Sequence, residues 1–260
     1  MKRIIFSIYT DNVNNHTSVP QYKRDQFALY KGRLEERQKQ YAKLCGAEYH
    51  LFTTNNVDYD NIQFEKILLC EQLTSQYDEV LYLDFDVIPV TNSNFFDKFN
   101  LDTVCVYSIP TKLPKEIIKF RNQDNTWHTM DMYSKSCCKK AMLLLNDVIG
   151  SLECFNTGVF GINKVSAEQL NFSSNLDMCH DFFQQAYKDN LYPTEMYKNW
   201  RPNNEVYTSF LCELNNVSVT NIGLSWNFIL DNNYRTLSKA AHMYHCVNKD
   251  FGAIPVLQSQ

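Results

Sequence analysis

Apolar positions along the chain fall into two alternating rhythms. Short runs of β-branched and aromatic residues stand at Arg3 to Tyr9, Glu48 to Thr53, Val80 to Asp86 and Thr103 to Tyr107. Such runs, bounded by polar turn residues, read as strands of a largely buried sheet. Between them the spacing shifts to three and four. Phe27, Tyr30, Leu34, Tyr41 and Leu44 mark a long amphipathic helix from about Tyr22 to Cys45, closed by Gly46. A second helix is expected from about Asn61 to Gln76. This β-α-β-α-β opening implies right-handed crossovers and a parallel sheet.

Further on the rhythm weakens. Pro110 to Tyr133, with Pro114, Trp127 and His128, has poor periodicity and reads as a long surface excursion, either an insertion or an acceptor-binding lid. The run Phe155-Asn156-Thr157-Gly158-Val159-Phe160 is strand-like but interrupted by small and polar residues. A glycine within a strand marks a bulge or a close backbone approach. Ser166-Ala167-Glu168-Gln169 reads as a capping box. Pro202-Asn203-Asn204-Glu205 opens another helix, capped by Asn203 or Asn204. Glu205 there suits the helix dipole without further role. A last strand is expected at about Ala240 to Cys246, carrying His242 and His245.

Composition narrows the class. The chain has 260 residues, 44% of them hydrophobic, enough for one large α/β domain over 1–260, with a ligand-binding half to about 107 and a second half beyond, or for a domain with an appended excursion. A net charge of −4 with no basic stretch argues against a nucleic-acid partner. No apolar run of membrane-spanning length occurs. Nine cysteines without a Cys-x-x-Cys pair suggest reduced thiols and a cytoplasmic protein.

The chemistry concentrates at Tyr82-Leu83-Asp84-Phe85-Asp86. On a strand, positions i and i+2 share a face, so Asp84 and Asp86 are expected to converge while Phe85 packs. Two ionised carboxylates so close repel each other, and a divalent cation between them resolves the conflict. The carboxyl end of a parallel strand is also where open α/β sheets bind ligands. Thr10 and Asn12 end the first strand, placed to touch a nucleoside or to serve as turn residues. Lys66 stands close to the middle of the second helix, where a solvated lysine is the ordinary reading. One of His242 and His245 could give nitrogen to the same cation, although a strand histidine is more often simply packed. No Gly-x-Gly-x-x-Gly and no Gly-Lys-Ser/Thr loop is present, so a bound phosphate would rely on metal.

Taken in order, the Asp-x-Asp at Asp84 and Asp86, the Asn156-Thr157-Gly158-Val159 strand, the Asn204-Glu205 helix start and the late histidines resemble the GT-A glycosyltransferases. The glycogenin-like and lipooligosaccharide-galactosyltransferase-like enzymes are the types most similar, as are small glycosyltransferases of large algal DNA viruses. Lys249 lacks the proline that follows the family's lysine, and Asn204 stands where the family often has an acid. The resemblance implies a mixed, mainly parallel sheet flanked by helices, and transfer of a sugar from a nucleotide-diphosphate donor, UDP above others, to a glycan acceptor. It implies Mn²⁺ or Mg²⁺ on Asp84, Asp86 and His245 or His242, the donor against Thr10, Asn12, Lys66 and Asp84, and the transferred sugar against Asn156, Thr157 and Gly158. Asp86 and Glu205 are its catalytic candidates, and retention of configuration is favoured. It places the protein in the cytoplasm, the host's if viral. The competing classes are a metal-dependent nucleotidyltransferase or nucleotide-sugar hydrolase, and a non-catalytic sugar-binding protein.

Overall fold

The computed structural model describes residues 1–10, 20–53, 59–109, 126–189, 202–231 and 236–258. The residues of β1 (Arg3–Tyr9) alternate faces: Ile4, Phe6 and Ile8 enter one core, Ile5 the other. β1 pairs in parallel with β2 (Glu48–Thr53) on one side and β3 (Glu79–Leu83) on the other. β3 then pairs antiparallel with β6 (Cys154–Asn163), followed by β5 (Val104–Ile109) and β7 (Val219–Asn221), giving the order β2-β1-β3-β6-β5-β7. β5 runs antiparallel to β6 and parallel to β7. The sheet is therefore mixed, and parallel at both junctions of β1.

Helix α1 (Gln21–Leu44) lies one residue from its expected span and buries Phe27, Leu34, Gln38, Tyr41 and Ala42 on one face. Gly46 follows at φ +64, the left-handed conformation a helix end favours. α2 (Tyr59–Leu73) starts and stops slightly earlier than its periodicity suggests.

Three other expectations change. The strand expected to reach Asp86 stops at Leu83, and Val87–Pro89 (β4) belongs to a second, three-stranded sheet, β4-β9-β8, with β8 at Phe228–Leu230 and β9 at Met243–Cys246. The excursion is in part helical: after the short α3 (Phe95–Lys98), α4 spans Thr126–Leu144 and includes Trp127 and His128, while 110–125 lies outside the described residues. The capping box sits three residues earlier than expected. Asn163 caps α5 (Lys164–Leu170), with Ser166 returning the bond, because the strand runs straight into the helix. α6 (Phe172–Lys188) and α7 (Asn204–Leu214) complete the helices on that face.

α2, α4, α6 and α7 pack over one side of the sheet around Phe6, Tyr82, Phe160, Tyr207 and Phe210. A second cluster, with Ile5, Leu81, Leu83, Phe95, Trp226 and Met243, fills the opposite side. All nine cysteines are buried, and none is in a disulfide. Among the described residues no helix is long and apolar enough to cross a membrane.

Candidate metal and ligand site

Asp84, Phe85 and Asp86 form a turn rather than a strand. The Val87 N–H donates to the Asp84 carbonyl at 2.8 Å. What stops the strand is a side chain from α1. Gln38, fully buried, donates from Nε2 to the carbonyls of Asp84 (3.1 Å) and Val87 (2.9 Å). Its Oε1 in turn accepts from the Tyr49 hydroxyl (2.9 Å) and lies 2.7 Å from Ser7 Oγ. Phe85 goes into the core against Tyr9, with ring centroids 4.9 Å apart, so the carboxylates on either side are left to face outward together.

Strand pairing brings the histidine to them. β4 and β9 align Val87 with His245, and the Cys246 N–H donates to the Asp86 carbonyl at 2.9 Å. His245 Nε2 lies 3.5 Å from Asp84 Oδ2 and 3.6 Å from Asp86 Oδ2. One ligand atom from each of the three residues lies within 4.8 Å of the others, so the group can hold a metal ion. Two carboxylate oxygens with one imidazole nitrogen are a donor set suited to Mn²⁺, and nothing in it resembles the thiolate sites of softer metals. His242 is not part of this group. Just ahead of β9, its ring stacks on Trp226 at 4.4 Å and its Nδ1 meets Thr91 Oγ1 at 2.9 Å. Burial, followed by the charge of Lys98, lowers its pKa.

Cations already balance the acids. Lys66, buried rather than solvated, reaches Asp84 Oδ1 at 3.2 Å, where the Tyr82 hydroxyl also donates at 2.6 Å. Lys249 bonds Asp86 Oδ2 from a backbone at φ +62, a conformation that costs a lysine roughly 1–2 kcal/mol. Burial pushes the Asp84 pKa upward, but Lys66, His245, the Tyr82 hydroxyl and Lys249 outweigh it and hold the pKa below the usual carboxylate value.

β6 forms the floor. The Asp84 N–H donates to the Gly158 carbonyl at 2.7 Å, and the β5–β6 register shifts between Val106 and Tyr107 opposite this stretch. Gly158 must be a glycine: a Cβ there would lie 2.3 Å from His245 Cε1. Asn156 bonds Glu205 Oε1 through Nδ2 at 3.1 Å, and Lys135 donates to Glu205 Oε2 at 2.7 Å. Asn203 caps α7 by accepting from the Glu205 N–H at 2.8 Å.

These groups share a cavity of about 670 Å³, in the range of small-molecule sites. Thr10, Lys66, Asp84, Asp86, Asn156, Glu205 and His245 line it, as do Lys23, Lys135 and Lys249. Thr10 is buried there, and among the described residues its hydroxyl has no hydrogen-bond partner. Asn12 lies outside the described residues. Thr157 and Gly158 are not on the cavity wall. The Thr157 hydroxyl is turned to Asn204, which donates at 2.7 Å, and Gly158 lies beneath His245. Gln38, Tyr82, Lys23, Lys135 and Asn227 were not singled out from sequence. Tyr82 alone had a local signal, standing two residues before Asp84 in the same apolar run.

No protein-family model matches the chain, and no curated protein matches it. Among solved structures it is similar to a glycosyltransferase involved in the glycosylation of the major capsid of PBCV-1, at 12% identity over 100% of both chains with a TM-score of 0.47. It is also similar to mouse xyloside xylosyltransferase 1, at 10% identity over 95% of this chain and 98% of that one, TM-score 0.47. A third is the galactosyltransferase LgtC bound to donor and acceptor sugar analogues, at 13% identity over 98% and 93%, TM-score 0.42.

Proposed function

We propose that the protein is a GT-A-type glycosyltransferase. It moves a sugar from a nucleotide-diphosphate donor, UDP as nucleotide, to a glycan hydroxyl, with Mn²⁺ or Mg²⁺ on Asp84, Asp86 and His245. One observation carries the reading: two carboxylates and an imidazole nitrogen converge on a cavity whose wall also bears four lysines. Acids alone would suit a cation, and lysines alone a phosphate. A site with both suits a cation and an anionic phosphate bound together. The order of the motifs along the chain, resembling that of the GT-A enzymes, supports the same reading.

When bound, the cation neutralises the charge that develops on the departing diphosphate, as a Lewis acid. The protein's own groups do the rest. Lys249 and Lys66, held by Asp86 and Asp84, are the ammonium groups placed to turn to phosphate oxygens. The Thr10 hydroxyl, without a hydrogen-bond partner among the described residues, is a contact for the nucleoside. Asn156 is the contact for the transferred sugar.

Glu205 is better suited to anchoring than to proton abstraction. Its carboxylate already accepts from Lys135 at Oε2 and from Asn156 and the Thr157 N–H at Oε1, so both oxygens are engaged before an acceptor hydroxyl arrives. That favours retention, which asks for no protein base at the acceptor hydroxyl.

Incubation with a panel of UDP- and GDP-sugars, with Mn²⁺ or EDTA and with or without glycan acceptors, tests the proposal. Metal-dependent release of nucleoside diphosphate, accelerated by an acceptor, is expected. Release of nucleoside monophosphate would point to a nucleotidyltransferase or hydrolase, and binding without release to a sugar-binding protein.

A further inference from the structure

We infer that Glu205 and Asn227 are positioning residues for the cation site, acting through a one-way chain of hydrogen bonds that keeps the His245 proton on Nδ1 and turns the bare Nε2 toward Asp84 and Asp86. The chain runs Glu205–Asn156–Asn227–His245, and each link has only one possible polarity.

It starts at a carboxylate, which can only accept. Glu205 Oε1 takes a proton from Asn156 Nδ2 at 3.1 Å. That makes Asn156 Oδ1 the opposite end of the amide, and the Gly158 backbone N–H, which can only donate, confirms it at 3.1 Å. Asn227 must then present nitrogen to Asn156. Its Nδ2 lies 2.7 Å from Asn156 Oδ1 and 3.4 Å from the Asn156 carbonyl, both acceptors. Reversing the Asn227 amide would set oxygen against oxygen at both contacts, and this side chain is fully buried. The Asn227 Oδ1 is therefore what faces His245, 3.0 Å from Nδ1, and only a ring with its proton on Nδ1 can donate to it.

The consequence falls on the other nitrogen. In the neutral ring Nε2 carries a lone pair, directed to carboxylate oxygens 3.5 and 3.6 Å away. Three acceptors then face one another, with the Lys249 ammonium on Asp86 Oδ2, an arrangement that a divalent cation satisfies once that ammonium turns aside. Partners on the far nitrogen of a ligating histidine are known to fix its tautomer and orientation. Here the signal begins at the start of α7, so one carboxylate both lines the cavity and sets the ligand histidine.

The tautomer stands on the hydrogen bonds alone, whereas its use rests on the cation reading proposed above. Two measurements separate them. In full-length, metal-free protein labelled with ¹⁵N-histidine, long-range ¹H–¹⁵N spectra at a pH where the ring is neutral should show His245 protonated at Nδ1, the signal being assigned by its loss in His245→Asn. A proton on Nε2 would overturn the inference. Mn²⁺ titrations followed by electron paramagnetic resonance should show affinity roughly ten- to a hundredfold weaker in Asn227→Leu and in Glu205→Gln. Wild-type affinity in both folded variants would remove the positioning role. If the wild-type protein took up no Mn²⁺, the cation reading would fail, and the ring measurement would still decide the tautomer.

Discussion

Two parts of this molecule bury lysines against acids, and they do opposite things. On α4, Lys139 is fully buried and its ammonium donates to Ser151 Oγ (3.2 Å), the Glu153 carbonyl and Glu213 Oε1 (2.7 Å). Those contacts use all three of its protons. Glu213 is equally occupied, accepting also from the Ser151 N–H and hydroxyl. Around Asp84 and Asp86 the lysines are just as close, but acceptors remain. Asp84 Oδ2 and His245 Nε2 still face each other on the wall of a cavity, beside the Asp86 Oδ2 that Lys249 holds. Buried charge by itself therefore marks nothing. A surplus of acceptors converging on open space does.

Substitutions in the two clusters should separate cleanly. Asp86→Asn has the largest expected effect, a loss of metal-dependent turnover of about a thousandfold, the equivalent of about 4 kcal/mol of transition-state stabilisation, with little change in melting temperature. Retained activity at ordinary Mn²⁺ would remove the distinction. Lys139→Met should do the reverse. It would destabilise the fold by about 3 kcal/mol in denaturant titrations, the low end for a broken buried pair because Glu213 reaches solvent, and leave Mn²⁺ affinity unchanged. A matching loss of Mn²⁺ binding would show that the clusters are coupled.

Smaller changes sharpen the contrast. Gly158→Ala places a methyl against His245 and should weaken Mn²⁺ binding roughly tenfold. Gly32→Ala on α1, where nothing lies within 4 Å of the new carbon, should leave binding alone and stabilise the protein by about 0.5–1 kcal/mol. The smallest effect concerns acid. Because the Asp84 pKa is lowered in the folded state, the unfolded chain binds its proton more readily. The stability it contributes is complete above the unfolded carboxylate range and is lost as pH falls below about 4. Asp84→Asn should flatten that limb of the metal-free stability profile, and an unchanged limb would show that Asp84 is not held by its neighbours.

Local patterns made much of this legible in advance. The spacing from Phe27 to Leu44 placed α1 within a residue, because 24 residues of helix carry their own period. The run at Glu48 to Thr53 matched β2 for the same reason. Asp84 and Asp86 stood out as acids closing an apolar run. That they sit on a turn was hidden, since the residue that makes the turn, Gln38, is 46 positions away from Asp84 and looks like any helix polar residue. Choosing between His242 and His245 needed the β4–β9 register, which no local pattern contains. Asn227 carries no local signal of its own. Its role depends on contacts 71 residues back and 18 forward. Lys135 falls beside a stretch without clear periodicity, and its tie to Glu205 spans 70 positions.

The most direct test places the ion. A crystal of the full-length protein soaked in Mn²⁺, with diffraction collected at the manganese absorption edge, should give one strong anomalous peak between Asp84, Asp86 and His245. A peak elsewhere, with those three residues left as they are, would contradict the account.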